Sequence, residues 1–213
     1  MPADGAPPVA LESRILDGAL ALVGRWGMTK TSLGDIARQA KCGRATVYRV
    51  FPGGKEQLFA ALAQRELSRF HARVAAELDE ARSLEDALVA AVSESAAFIA
   101  DHEALQFILA HEPGRVLPYL GFNQVDRLYA EAARLGTPHL ARWVRAEQAP
   151  WAVEWLVRIV VSYLFAPATG VDLTDREDAR RLVRSYLLPA MAPVVRPPTA
   201  FGESVPVPAT TGS

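Results

Sequence analysis

The densest chemistry in this chain is cationic. Arg25, Lys30, Arg38, Lys41, Arg44, Arg49 and Lys55 fall within residues 25–55 against one carboxylate, Asp35. That is a local surplus of six in a chain whose formal net charge is −1, so the remainder is acidic by seven. All three lysines of the chain lie in this window. A basic segment on an acidic body is the electrostatic pattern of a nucleic-acid-binding module joined to something else. A solvated helix face would carry the same charges, so the side chains around them must decide.

Other chemistry is sparse. His102-Glu103 and His111-Glu112 suggest metal ligands, but nine residues at about 100° each put the two histidines on opposite sides of a helix. No metal and no cofactor is expected. Cys42 is the single cysteine. It excludes an intramolecular disulfide, makes a reducing compartment the default, and reads as a core filler. There is no glycine-rich phosphate loop and no nucleophile motif such as Gly-x-Ser-x-Gly, so an enzyme is not expected.

The elements that must carry the basic cluster are helices. The chain has 213 residues, 50% hydrophobic and 22% charged, enough for one or two packed domains. The most apolar run, residues 155–168, is interrupted by Arg158 and is shorter than the roughly 20 residues of a membrane span. The N-terminus lacks the order of a signal peptide, so a soluble cytoplasmic protein without membrane contact is expected. Ile15, Ala19, Leu22, Val23 and Trp26 form one apolar stripe ended by Gly27. Helical spacing predicts helices over 12–26, 32–40, 44–50, 55–82, 84–111, 121–135, 139–146, 151–165 and 175–191. Residues 1–9 read as a loose arm and 193–213 as a Pro-rich disordered tail. The expected division is 10–54 for the basic module and 55–192 for a second helical domain.

Residues 31–51 fit a helix-turn-helix. Two short helices crossing steeply need a small residue at their closest approach, and Ala37 supplies it. Ile36, Val47, Val50 and Phe51 supply core contacts. Thr31 is placed to cap the first helix and Gly43 the second. The second helix then presents Arg44, Ala45, Thr46, Tyr48 and Arg49 outward, where its N-terminal residues can enter a major groove. Arg44 suits a bidentate contact to guanine, and Ala45 or Thr46 a thymine methyl. Thr31, Tyr48 and Lys55, with Ser32 beside them, suit phosphate contacts.

The pattern Gly27-x-x-x-Thr31-x-x-x-x-Ile36-Ala37, then Thr46-Val47-Tyr48-x-x-Phe51, then Lys55-x-x-Leu58-Phe59, resembles the TetR family of bacterial transcriptional regulators. The resemblance spans about residues 12–62. Lys41 stands where that family usually has glycine, Gly43 where it usually has a capping Ser or Thr, and the turn at Pro52-Gly53-Gly54 is one residue longer. The resemblance implies an all-α protein: an N-terminal three-helix helix-turn-helix domain followed by a helical ligand-binding and dimerisation domain. It implies a homodimer on double-stranded operator DNA, acting as a repressor released by a small-molecule effector.

In the family the last two long helices usually pair across the dimer. Here Trp155, Ile159 and Tyr163 on the first, with Leu182 and Tyr186 on the second, are the expected interface. A ligand pocket is expected among Phe98, Phe107, His111, Phe122, Trp143 and Trp151, with His102, Asn123 and Gln124 as further polar options. Few charges point there, so a hydrophobic effector of fatty-acyl or other lipid-like character is expected. The alternative is an effector-independent architectural or constitutive DNA binder.

Overall fold

The computed structural model describes residues 8–115, 125–166 and 169–191. All regular elements among them are helices: α1 (Pro8–Lys30), α2 (Leu33–Gln39), α3 (Arg44–Val50), α4 (Gly54–Glu80), α5 (Leu84–Asp101), α6 (Glu103–His111), α7 (Val125–Leu140), α8 (Ala149–Phe165) and α9 (Arg176–Leu182). A π-helical turn (Val183–Leu187) and a last helical turn (Leu188–Met191) continue α9. No helix among the described residues is long and apolar enough to cross a membrane.

Two hydrophobic cores form. The first gathers Ile15, Ala19, Val23, Ile36, Ala37, Val47 and Phe51 with Leu58, Phe59 and Leu62. Ala104 of α6 also belongs to it. The second gathers Leu78, Leu88, Val92, Leu140, Val144, Leu156 and Leu187. Helix α4 therefore serves both cores, its first turns in one and Leu78 in the other. Helix α5 is the centre of the second core: Ala87 to Ser93 are buried without interruption. Burying one Leu or Val side chain contributes about 1.5–3 kcal/mol, so a helix covered on all sides anchors the domain.

Several expectations need correction. Helix α1 starts at Pro8, inside the segment read as an arm, and its path breaks at Gly27 (φ 80, ψ 172) before a final turn to Lys30. Trp26, expected in the core stripe, is 41% exposed. It adjoins the break, and the stripe is already closed by Val23. The expected helix over 84–111 is two helices. His102 leaves the helical region (φ −85, ψ 86) and its ring accepts the Leu105 N–H, capping α6. The pieces expected over 121–135 and 139–146 become one helix through Pro138 to Leu140, followed by turns. Helix α9 begins after Asp175, whose carboxylate caps the Glu177 and Asp178 amides.

Candidate nucleic-acid interface

Ser32, not Thr31, caps α2. Its hydroxyl accepts from the Asp35 N–H while Asp35 accepts from the Ser32 N–H, a reciprocal capping box. The Ser32 hydroxyl bond, aided by the backbone bond and Arg38, holds the Asp35 carboxyl below its usual range. Thr31 is buried, and its hydroxyl donates to the Gly27 carbonyl at 2.6 Å. It braces the α1–α2 turn and presents no hydroxyl to a phosphate, which corrects its expected role. Ser32 stays exposed beside the turn.

Helix α3 is built as the spacing implies. Val47 is fully buried against Ile36 and Ala37 in the first core. Arg44, Ala45, Tyr48 and Arg49 are exposed, and Thr46 is half-buried. Gly43 caps the helix without a side-chain bond. The Arg44 guanidinium lies on Tyr48, one donor 3.4 Å from the phenol oxygen and Cζ 5.6 Å from the ring centroid. Arginine and tyrosine are thereby paired on the outer surface of one helix, a flat cationic edge. Cys42 is half-buried against the first core.

Lys41 is the one non-glycine residue with positive φ among the described residues (φ 53). That conformation costs an L-residue roughly 1–2 kcal/mol. Replacement by glycine relieves it, less the ~0.4–1 kcal/mol that glycine adds to the freedom of the unfolded chain. Lys41→Gly is expected to raise stability by about half a kcal/mol; an unchanged or lowered midpoint in thermal denaturation contradicts this.

Lys55 stands at the start of α4. Its ammonium donates to the Thr29 carbonyl at 3.3 Å and lies 5.5 Å from the Phe59 ring centroid. An ammonium has three donors, so two remain for a phosphate. Gly54 precedes it at φ 69, which lets the chain turn tightly into α4. Thus α3 and the α4 start share one edge of the first core, with Tyr48 packed near Gly54.

Two residues that hold this edge carried no sequence signal for that role. Arg14 of α1 donates to the Ala40 carbonyl at 2.9 Å and ties down the end of α2. Glu112, just past α6, accepts from the Met28 and Thr29 amides at 2.9 and 3.0 Å across more than 80 residues of chain. Only the tertiary contact reveals either.

The expected ligand residues do not converge. Phe98 packs edge-on against Phe70 at 5.2 Å, with the Arg73 guanidinium 5.5 Å from its ring centroid. Phe107 and His111 stack at 4.4 Å on α6, and Phe107 abuts Gly27. Trp143 lies under the Arg142 guanidinium beside the second core. Trp151 is 40% exposed on α8, its ring 6.2 Å from that of Trp155. Phe122, Asn123 and Gln124 lie outside the described residues. Two open surface depressions are lined by other residues: one by Leu22, Arg25, Gln39 and Glu103, the other by Thr29, Glu112 and Arg115. No group of three or more His, Cys, Asp or Glu among the described residues is placed to hold a metal ion.

Of the expected interface residues, Trp155 (40% exposed) and Tyr186 (68%) are on the surface. Ile159 and Tyr163 are half-buried at the edge of the second core. Leu182 is a correction: it is buried in that core. The π turn explains the split. The Leu188 amide bonds the Val183 carbonyl, five residues back. Leu182 and Leu187 therefore face inward five residues apart, and Tyr186 swings out.

Comparison with known proteins agrees with this geometry. Residues 15–62 match the family model described as bacterial regulatory proteins, tetR family. An uncharacterized HTH-type transcriptional regulator of Mycobacterium tuberculosis is 26% identical over 184 residues, 84% of this chain and 85% of that protein. Among solved structures, the TetR family repressor AlkX from Dietzia sp. strain DQ12-45-1b, implicated in biodegradation of n-alkanes, superposes with a TM-score of 0.62 at 19% identity, covering 92% of this chain and all of that one. The fatty acid degradation regulator FadR from Bacillus halodurans gives 0.58 at 17% identity over 87% of this chain and 98% of that one. A TetR-family transcriptional regulator from Streptomyces coelicolor gives 0.57 at 25% identity over 83% and 97%.

Proposed function

This chain belongs to the TetR family of bacterial regulatory proteins, and we propose that it is a homodimeric, sequence-specific repressor released from its operator by a hydrophobic small molecule. It is a DNA-binding transcriptional regulator, not an enzyme. The observation that carries the proposal is the outer face of α3. Arg44, Ala45, Tyr48 and Arg49 are exposed on a helix whose inner residue Val47 is locked in the core. A helix so held can read base edges without repacking.

The site divides into two roles. Arg44 leaves Tyr48 to reach a guanine, with Ala45 and Thr46 near a thymine methyl. Lys55, Tyr48 and Ser32 hold phosphates and set the register. Arg44→Ala is expected to weaken operator binding by about 1–3 kcal/mol and relax one base position. Lys55→Ala is expected to weaken every duplex alike and lower the salt slope by about one per subunit. Titration of both variants on operator and random DNA separates the roles; equal losses for Arg44→Ala on the two duplexes contradict base reading.

Trp151, Trp155 and Tyr186 support a second copy of the chain as partner, and two-fold symmetry suits a palindromic operator. A cytoplasmic location follows from that role. For the effector, the aromatic side chains of α5 and α6 support a lipid-like molecule, in keeping with the alkane and fatty-acid chemistry of two proteins that share the fold. The scattered placement of Phe98, Phe107 and Trp143 favours the second reading, a constitutive DNA binder. Adding long-chain fatty acids and acyl thioesters to the operator complex separates the two: release supports the effector, and retention throughout supports the constitutive binder.

A further inference from the structure

Helix α6 follows the central helix of the second core, yet it packs into the first. Ala104 is buried there and Ile108 packs against it. At its start, the His102 ring lies 3.4 Å from the Glu66 carboxylate of α4. At its end, Glu112 reaches across the α1 break. One carboxylate oxygen accepts the Met28 amide and the other the Thr29 amide. The next bond in line is the Thr29 carbonyl, which accepts from Lys55. A single peptide turn is therefore held on its N–H side by Glu112 and on its C=O side by the lysine assigned above to phosphate. Gly27 is required at the joint. Its φ of 80° belongs to glycine, and a methyl there would lie 2.7 Å from Glu112 Oε1.

The electrostatics fit a charged clasp. Burial works against the Glu112 charge, but hydrogen bonds from Thr29 and Met28 and the charge of Arg115 outweigh it, and the carboxyl sits below its ordinary range. Two amides on one ionised carboxylate are charge-assisted bonds, stronger than neutral pairs.

We propose that Glu112 is a positioning residue for DNA binding: by clasping the Met28 and Thr29 amides it fixes the turn whose Thr29 carbonyl anchors Lys55, so the end of α6 sets where the phosphate-binding ammonium sits. The proposal rests on the DNA-binding reading above. The sign of the effect is diagnostic. Glu112→Gln removes a negative charge beside a DNA-binding edge, and charge alone would tighten binding. In Gln one of the two accepting oxygens becomes an NH2 donor, which would face one of the two N–H groups donor to donor. The clasp loosens, and positioning predicts weaker binding instead.

The test is a double-mutant cycle on the full-length protein with DNA from upstream of its own gene and a scrambled duplex, across a salt series. Glu112→Gln is expected to weaken operator binding about five- to tenfold. In the Lys55→Ala background it should change affinity by less than about twofold, because the group it positions is gone. Hydrogen exchange should show protection lost at the Met28 and Thr29 amides of Glu112→Gln and kept at Val47. A Glu112→Gln protein that binds as tightly as wild type or tighter overturns the proposal. So do losses that multiply with Lys55→Ala, or unchanged amide protection. Wild-type protein that binds the operator no better than scrambled DNA overturns the repressor reading, and this proposal with it.

Discussion

Gly27→Ala is expected to destabilise the first domain by about 2–4 kcal/mol. The backbone at φ 80, ψ 172 lies in a region essentially closed to residues with a Cβ, at a cost of order 1–3 kcal/mol. The added methyl would also lie 2.8 Å from Phe107 Cε1 and 2.9 Å from Glu112 Cδ. Both must move, and moving Glu112 takes its oxygens off the Met28 and Thr29 amides. Leaving those donors short of partners adds to the cost. Thr31 suffers too, since its buried hydroxyl bonds the Gly27 carbonyl. Urea denaturation followed by circular dichroism measures the change. A loss below about 0.5 kcal/mol would show that the turn yields and is not a rigid joint.

In the proposed homodimer, Trp155→Arg is expected to yield a monomer and to lower operator affinity by more than 100-fold. Trp155 is 40% exposed beside Trp151 on α8, so the substitution empties no core space in the isolated chain. In a two-fold interface the change occurs twice. A central tryptophan is worth roughly 2–4 kcal/mol per copy, and the two new arginines would face each other's subunit. Operator affinity falls because two half-sites read by linked heads gain 10²–10⁴ over one head alone. Light scattering at micromolar concentration gives the mass, and anisotropy titration gives the affinity. A variant that remains dimeric places the interface elsewhere; a monomer that binds as tightly as wild type shows that dimerisation does not serve DNA binding.

The sequence carried most of the first domain. Ile36, Ala37, Val47 and Phe51 were legible as core because two short helices with a small crossing residue leave few other arrangements. The exposed face of α3 followed from the same count, whereas the Lys41 and Gly43 departures were visible only against the family pattern the segment resembles. The misses have local causes. Thr31 and Ser32 are both good caps by type, and the capping box with Asp35 selects Ser32. The 84–111 stretch keeps helical periodicity through His102, because a ring that caps a following amide leaves no mark in an apolar pattern. Leu182 and Tyr186 are four apart and look alike until the π turn shifts the register. The second domain was the least legible. The aromatics of its expected pocket that lie among the described residues pack against different neighbours, and residue type does not reveal which helix supplies each neighbour. Glu112 reads in sequence as a charge at a helix end, and its function exists only in the contact with α1.

The most direct measurement is an anisotropy titration of the full-length protein against DNA from upstream of its own gene, repeated over 50–200 mM salt and against a scrambled duplex of equal length. One dimer per site and a specificity ratio of about 10³ or more are expected. Affinity should fall steeply with salt, reflecting several phosphate contacts. Equal affinity for the two duplexes, at any salt, would contradict the repressor reading.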